Sequence, residues 1–152
     1  MYHAAMGAKT SLPTDHQPMV LTLLRAAARV EHRLDRALSC IRGISFTEYR
    51  LLRELAARHD ASATRVDLAA AVQLTPSAVT RALKPLEKLG YVRTVRDERD
   101  ARRSLASLTP AGAELVRDAE GVVQDDIAAL GLTSSSADEA LVELVERFGT
   151  NR

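Results

Sequence analysis

Cysteine is nearly absent from this 152-residue chain, which holds only Cys40, so no disulfide can form within it. Aromatic residues make up 3% of the chain, although 46% of its residues are hydrophobic. The core must therefore be built from Leu, Val, Ala and Ile, which suits packed helices. No apolar run reaches the ~18 residues of a membrane-spanning helix. We expect a cytoplasmic protein with a flexible N-terminal tail over residues 1–16, because that stretch lacks a signal-peptide pattern.

Residues for metal or enzyme chemistry are also few. The four histidines, at 3, 16, 32 and 59, show no metal-ligand spacing, and Cys40 has no second cysteine to join it. The sequence also lacks a glycine-rich phosphate loop, a nucleophile elbow and a defensible Ser/His/Asp order. We therefore expect no enzyme activity, no metal and no cofactor, and we expect Cys40 to be a buried or half-buried thiol.

The formal net charge of the chain is +1, but the charged residues are unevenly distributed along the sequence. Residues 81–103 hold eight basic and four acidic residues, a net charge of +4, whereas residues 111–152 hold three basic and nine acidic residues, a net charge of −6. A basic segment of this kind favours contact with nucleic acid, and the acidic C-terminal region should face away from phosphates.

Residues 18–41 carry apolar side chains every seven positions, with a second series three positions further on, which predicts a long helix with one apolar stripe. Such a stripe can pack on a helix of its own chain or of a partner chain. Thr47 is a candidate cap for a second helix that runs to about Arg58.

A helix-turn-helix pattern follows this segment. Thr64 begins a short helix, and Thr75 caps the next one with Pro76 at its first position. The inward residues of helix 76–89 are predicted from helical spacing to be Val79, Leu83, Leu86 and Leu89. The opposite face is polar and basic and suits the base edges and phosphates of double-stranded DNA. The candidate DNA-binding residues on it are Thr75, Ser77, Thr80, Arg81, Lys84 and Lys88.

Alternating apolar and polar residues predict two strands, 91–96 and 104–108, joined by a charged loop into a hairpin, or wing. We expect its arginines to face the minor groove, whose negative potential attracts arginine. These candidates are Arg96, Arg99, Arg102 and Arg103. Phosphates would repel Asp100, so we assign it to shaping the tip by pairing with Arg102 or Arg103. Two further helices are predicted at about 110–130, capped by Thr109, and 137–148.

Residues from about 18 to 148 resemble the MarR-type transcriptional regulators. The matching segments are FTEYRLLRELA at 46–56, DLAAAVQLTPSAVTRALKPLEKLGYVRT at 67–94, and DERDARRSLASLTPAG at 97–112. The last is the most specific, because Asp100 and Arg102 match the family's Asp-x-Arg wing motif. The resemblance implies a homodimer built from the first and last helices, which binds a pseudo-palindromic operator and usually represses. The resemblance also implies a small-molecule pocket between the dimer base and the DNA-binding lobe, which members of the family often have.

Two residues depart from the family pattern. Many relatives have glycine in the turn where this chain has Gln73. If the turn requires a left-handed backbone conformation, glycine adopts it more easily than glutamine does. Pro85 lies inside the second helix of the motif and removes a backbone hydrogen bond, so we expect a bend near residues 81–85.

We therefore predict a mainly α fold with a small β-hairpin wing. A winged helix-turn-helix lobe spans 46–109, and a helical dimerisation region spans 17–45 and 110–148. The predicted dimer contacts are Val20, Leu23, Ala27, Val30, Leu34, Leu141, Leu144, Val145 and Phe148. We predict a homodimeric repressor that binds specific DNA and is released by a small-molecule effector. The alternative is a winged-helix module that binds protein, which should expose Leu or aromatic residues on its contact face.

Overall fold

The computed structural model describes residues 17–96, 100, 103–131 and 142. Its elements, in chain order, are α1 (Gln17–Arg42), α2 (Phe46–Ala56), β1 (Ser62–Thr64), α3 (Arg65–Val72), α4 (Pro76–Lys88), β2 (Val92–Arg96), β3 (Ser104–Leu108) and α5 (Pro110–Ala128). Several predicted features lie outside the described residues: the tail 1–16, Arg99, Arg102, Leu141, Leu144, Val145 and Phe148.

The predicted mainly α fold with a hairpin wing is confirmed. A third strand, β1, pairs with the hairpin and extends it into a sheet. β3 lies in the middle of an antiparallel sheet of order β1-β3-β2, in which Ala106 pairs with Ala63 on one side and with Thr94 on the other. β1 was not predicted, because three residues are too few to show an alternation of apolar and polar side chains. This strand fastens the base of the wing directly to the start of α3.

The core is formed mainly by leucine and valine, as the composition requires. Leu51, Leu52 and Leu55 of α2 are completely buried, which places α2 at the centre of the molecule. Around them pack side chains from the other helices: Leu38 of α1, Leu68 of α3, Val79, Leu83 and Leu86 of α4, and Val116 and Ala119 of α5.

The two halves of α1 have different surroundings. In the C-terminal half, Leu34 and Leu38 are 4% and 0% exposed, because α5 covers this half and pairs with it through Arg33 and Asp126 at 2.8 Å. Leu34, which we predicted at the dimer contact, thus lies in the core of its own chain. In the N-terminal half, Leu21 is 45% and Leu24 is 60% exposed.

The prediction that Thr47 caps α2 is wrong, because Ser45 occupies that position. The Ser45 hydroxyl accepts from the Glu48 N–H at 3.1 Å, and the Glu48 carboxylate accepts from the Ser45 N–H at 2.7 Å. This reciprocal pair satisfies two backbone donors that the helix cannot satisfy internally. Asp35 of α1 also accepts from the Phe46 N–H at 2.8 Å, so the start of α2 is tied to α1.

The local structure accommodates Gln73 and Pro85, the two residues that depart from the family pattern. Gln73 has φ 57° and ψ 46°, a left-handed conformation that costs a non-glycine residue about 1–2 kcal/mol. Its side-chain amide offsets part of this cost by donating to the Ala70 carbonyl at 3.0 Å. α4 continues through Pro85 to Lys88 without interruption.

The prediction that Leu89 points inward is wrong, because Leu89 is 64% exposed. α4 ends at Lys88, so Leu89 lies beyond the last helical turn, where helical spacing no longer gives the direction of a side chain.

Candidate nucleic-acid interface

α4 presents one buried and one exposed face, which makes it the natural candidate to enter the major groove; we call it the recognition helix. Val79, Leu83 and Leu86 are at most 1% exposed and anchor the helix on the core. The six predicted DNA-binding residues of this segment, Thr75, Ser77, Thr80, Arg81, Lys84 and Lys88, are all exposed. The structure therefore places the predicted set together on one outward surface.

The hydroxyls and the cations on this surface are used differently. Thr75 caps the helix by accepting from the Ala78 N–H at 3.2 Å, and Thr80 donates to the Pro76 carbonyl at 2.9 Å. Within the part of the chain that the structure describes, Arg81, Lys84 and Lys88 form no ion pair. Among the described residues no carboxylate neutralises these three cations, whereas the two threonines mainly fix the helix start.

The wing carries further arginines beside this helix. Arg96 is exposed at the end of β2, and Arg103 lies at the entry of β3. The Arg103 guanidinium lies 3.9 Å from the Asp67 carboxylate of α3, and its backbone N–H donates to the Asp100 carbonyl at 2.9 Å. This contact between the wing and α3 was not predicted. The proposed pairing of the Asp100 side chain with Arg102 or Arg103 stays a prediction.

A polar cluster that sequence analysis missed joins the wing to the recognition helix; we call Arg65, Glu87, Thr94 and Ser104 the wing junction. The Arg65 guanidinium donates to Glu87 and to Thr94, both at 3.0 Å, and approaches the Ser104 hydroxyl at 3.5 Å. The Thr94 hydroxyl donates to Glu87 at 2.6 Å. No local pattern could reveal this cluster, because its members are spread over four elements.

A cavity of about 640 Å³ lies between α1, α2, α3 and α5. Its walls combine apolar, cationic and acidic side chains, among them Leu34, Phe46, Tyr49, Arg50, Arg53, Val72, Glu120, Val123 and Ile127. Burial raises the pKa of the Tyr49 phenol, although Arg53 acts in the opposite direction, so the phenol stays protonated at neutral pH. Arg50 donates to the Val72 carbonyl at 2.8 Å, and this carbonyl ends α3 just before the turn to α4.

Other chemistry is sparse in the described part of the chain. No cluster of three or more metal-ligating side chains occurs among its residues, and none of its helices could span a membrane. Cys40 is exposed, so the prediction of a buried or half-buried thiol is wrong. It lies on α1 near the helix end, away from the side that carries Leu34 and Leu38 into the core.

Comparison with known proteins adds independent findings. Residues 42–103 match the model of the MarR family, and this range contains both helices of the motif and most of the wing. No curated protein sequence matches the chain closely enough to show a relation.

Solved structures match over most of the chain. Sco3205 from Streptomyces coelicolor, a MarR family transcriptional regulator in complex with DNA, is 26% identical with a TM-score of 0.81, over 93% of this chain and 90% of that one. A variant of MarR from E. coli with operator DNA is 22% identical, with a TM-score of 0.73 over 93% and 99%. BpsR from Bordetella bronchiseptica, whose DNA binding is regulated by 6-hydroxynicotinic acid, is 17% identical, with a TM-score of 0.76 over 93% and 100%. The last two likenesses show a shared fold.

Proposed function

We propose that the chain is a MarR-family transcriptional regulator, a homodimeric repressor that binds a pseudo-palindromic operator and leaves it on binding a small molecule. The observation that carries this proposal is the recognition helix. One of its faces is buried, and the other bears cations that form no ion pair within the described residues. The predicted domain division fits this function, with 46–109 as the DNA-binding lobe and the flanking helices as the dimer base. The cytoplasm is the expected location.

Selection from a random duplex library tests sequence-specific binding. The purified protein should enrich one pseudo-palindromic sequence, because its two-fold axis would place two recognition helices in successive major grooves. Affinity for that duplex should fall steeply with salt, since bound arginines and lysines displace counterions from phosphates. A protein-interaction module would enrich no sequence, and this outcome would refute the proposal.

The exposed apolar surface of α1 supports the dimer. Val20, Leu21 and Leu24 are 38%, 45% and 60% exposed, and such a patch on a lone chain is typical of a protein interface. We expect light scattering to give a dimer mass at micromolar concentration and Leu24→Glu to shift it to a monomer. Val66→Glu is the matched control, because Val66 is 64% exposed on α3 and should leave the dimer intact. A monomeric wild-type protein would contradict the prediction.

The cavity supports a small organic anion as the effector. Arg50 and Arg53 provide cations, the Tyr49 hydroxyl is a hydrogen-bond donor, and most of the remaining wall is apolar, although Glu54 and Glu120 also line it. We use 6-hydroxynicotinic acid as the probe, because it regulates the similar BpsR. It should release the selected duplex, and Arg53→Gln should raise the required concentration roughly three- to tenfold, as expected for a partly exposed charged contact.

Arg117→Gln provides the control for this effector experiment, because Arg117 is exposed on α5 and does not line the cavity. It should respond to the probe as the wild-type protein does. If the probe fails to release the duplex, or if Arg53→Gln responds like the wild-type protein, the assignment of this cavity to such an anion is wrong.

The role of Asp100 can be separated from simple charge. Asp100→Ala removes a negative charge near phosphates, so electrostatics alone predicts tighter binding to every duplex. If Asp100 shapes the wing tip, binding to the selected duplex should weaken while binding to a scrambled duplex is retained. Gel shifts on both duplexes distinguish these outcomes, and tighter binding to both would exclude the shaping role.

A further inference from the structure

The wing junction connects the hairpin to the helices, and Arg103, which is nearer the wing tip, lies 3.9 Å from Asp67 of α3. Val92 and Ala106 hold the base of the hairpin in the core, where they are 2% and 0% exposed. Thr94 pairs with the buried Ala106, but its own side chain is exposed, as are those of Arg96 and Ser104. The junction therefore lies at the edge of the apolar packing that holds the wing.

The geometry of the junction fixes three elements relative to one another. A single oxygen of Glu87 accepts from the Arg65 guanidinium at 3.0 Å and from the Thr94 hydroxyl at 2.6 Å. Arg65 also donates to the Thr94 oxygen at 3.0 Å, so the three side chains form a closed triangle. Arg65 starts α3, Glu87 lies at the end of the recognition helix, and Thr94 lies in the middle of β2.

Stability alone does not account for this arrangement. The Arg65 and Glu87 side chains are 22% and 31% exposed, and an ion pair so open to water contributes little to stability. Orientation is a stronger consequence. Arg96 lies about 7 Å beyond Thr94 at ~3.3 Å per strand residue, so a rotation of about 20° at Thr94 would move it by roughly 2 Å. A displacement of that size breaks a hydrogen bond.

We propose that Arg65, Glu87 and Thr94 are positioning residues that set the angle between the wing and the recognition helix, so that minor-groove and major-groove contacts form together. The proposal rests on the DNA-binding function proposed above. The three residues act through Arg96 and the rest of the wing. Glu87 is also the residue of the triangle whose negative charge would otherwise oppose phosphate binding.

The test compares single-residue variants of the full chain on two duplexes, the one selected by the wild-type protein and its scrambled version. Glu87→Gln removes the charge that pairs with Arg65, and Thr94→Val removes the hydroxyl without changing charge, so each weakens the triangle. Thr94→Ser keeps the hydroxyl and serves as the rescue variant. Asp118→Asn is the matched control, because it removes a carboxylate on α5 that pairs with Arg42 at 3.8 Å and does not line the cavity. Thermal unfolding confirms that each variant is folded.

We expect Glu87→Gln and Thr94→Val to bind the selected duplex roughly fivefold or more weakly, while their affinity for the scrambled duplex is unchanged. Their footprints should no longer show hydroxyl-radical protection in the minor groove, while protection of guanine N7 in the major groove remains. The slope of log affinity against log salt should become shallower by about one for each phosphate that the variant no longer binds. Thr94→Ser and Asp118→Asn should behave like the wild-type protein.

The opposing outcomes are distinct. Tighter binding of Glu87→Gln to both duplexes, with Thr94→Val unchanged, would show that Glu87 acts only as a charge and would overturn the positioning role. Uniform weakening of both kinds of protection would equally overturn it, because that is the signature of general destabilisation. If the wild-type protein selects no duplex, the proposed function itself fails and this inference fails with it.

Discussion

Replacing Arg81 with alanine is expected to weaken binding to the selected duplex roughly 5- to 150-fold, or about 1–3 kcal/mol, if its guanidinium binds a guanine through two hydrogen bonds. Arg81 lies on the exposed face of the recognition helix, two residues after the buried Val79 and two before the buried Leu83. Its guanidinium forms no ion pair within the described residues, so DNA contact would break no ion pair among them.

The effect should be specific for sequence as well as for charge. Arg81→Ala should relax the preference at one base pair in each half-site, whereas Lys88→Ala, which also removes an exposed cation from α4, should weaken binding to all duplexes about equally. Repeating the duplex selection with each variant measures this difference. Unchanged affinity of Arg81→Ala for the wild-type duplex would exclude Arg81 from base contact.

Gly112→Ala is expected to lower the free energy of unfolding by about 1–3 kcal/mol, because overpacking of a tight site carries that cost. A β-carbon at Gly112 would overlap the Tyr91 backbone carbonyl and would come within 2.7 Å of a Leu108 methyl group. The same region is held together by Thr109, whose hydroxyl donates to the Gly90 carbonyl at 2.7 Å and accepts from the Gly112 N–H at 3.1 Å. The strand entry cannot move away without breaking these bonds.

Gly121 provides the matched control in the same helix. A β-carbon there meets nothing within 4 Å, so Gly121→Ala should stabilise the protein by about 0.5–1 kcal/mol through its better helix propensity. Urea unfolding of both variants measures the pair of effects. If the two substitutions change stability in the same direction, close packing at Gly112 is not the controlling factor.

Local signals predicted most of the elements. Thr64, Thr75 and Thr109 were expected to start helices, and each accepts from the backbone N–H three residues later. The start of α2 shows the limit of such signals. Ser45 and Thr47 are both residue types that cap helices. Ser45 is the cap because Glu48, three positions later, accepts a hydrogen bond from the Ser45 backbone N–H.

Side-chain partners were harder to predict than elements. The stripe on α1 has a helical period along its whole length, yet α5 covers only the half that contains Leu34 and Leu38. Periodicity shows which side of a helix is apolar, and it does not show where a neighbouring element begins or ends. The exposed Leu21 and Leu24 therefore became distinguishable from Leu34 only when the position of α5 was known.

The helix-turn-helix order, the hairpin after it and the basic outer face of the recognition helix follow from the amino-acid sequence, because each depends on residues close together in the chain. The third strand, the cavity beside Tyr49 and the wing junction exist only once the chain has packed. Arg65 and Glu87 are separated by 22 positions and Arg65 and Thr94 by 29. Contacts over such separations depend on how the helices and strands pack, which is set by the whole core around α2 and not by any local pattern.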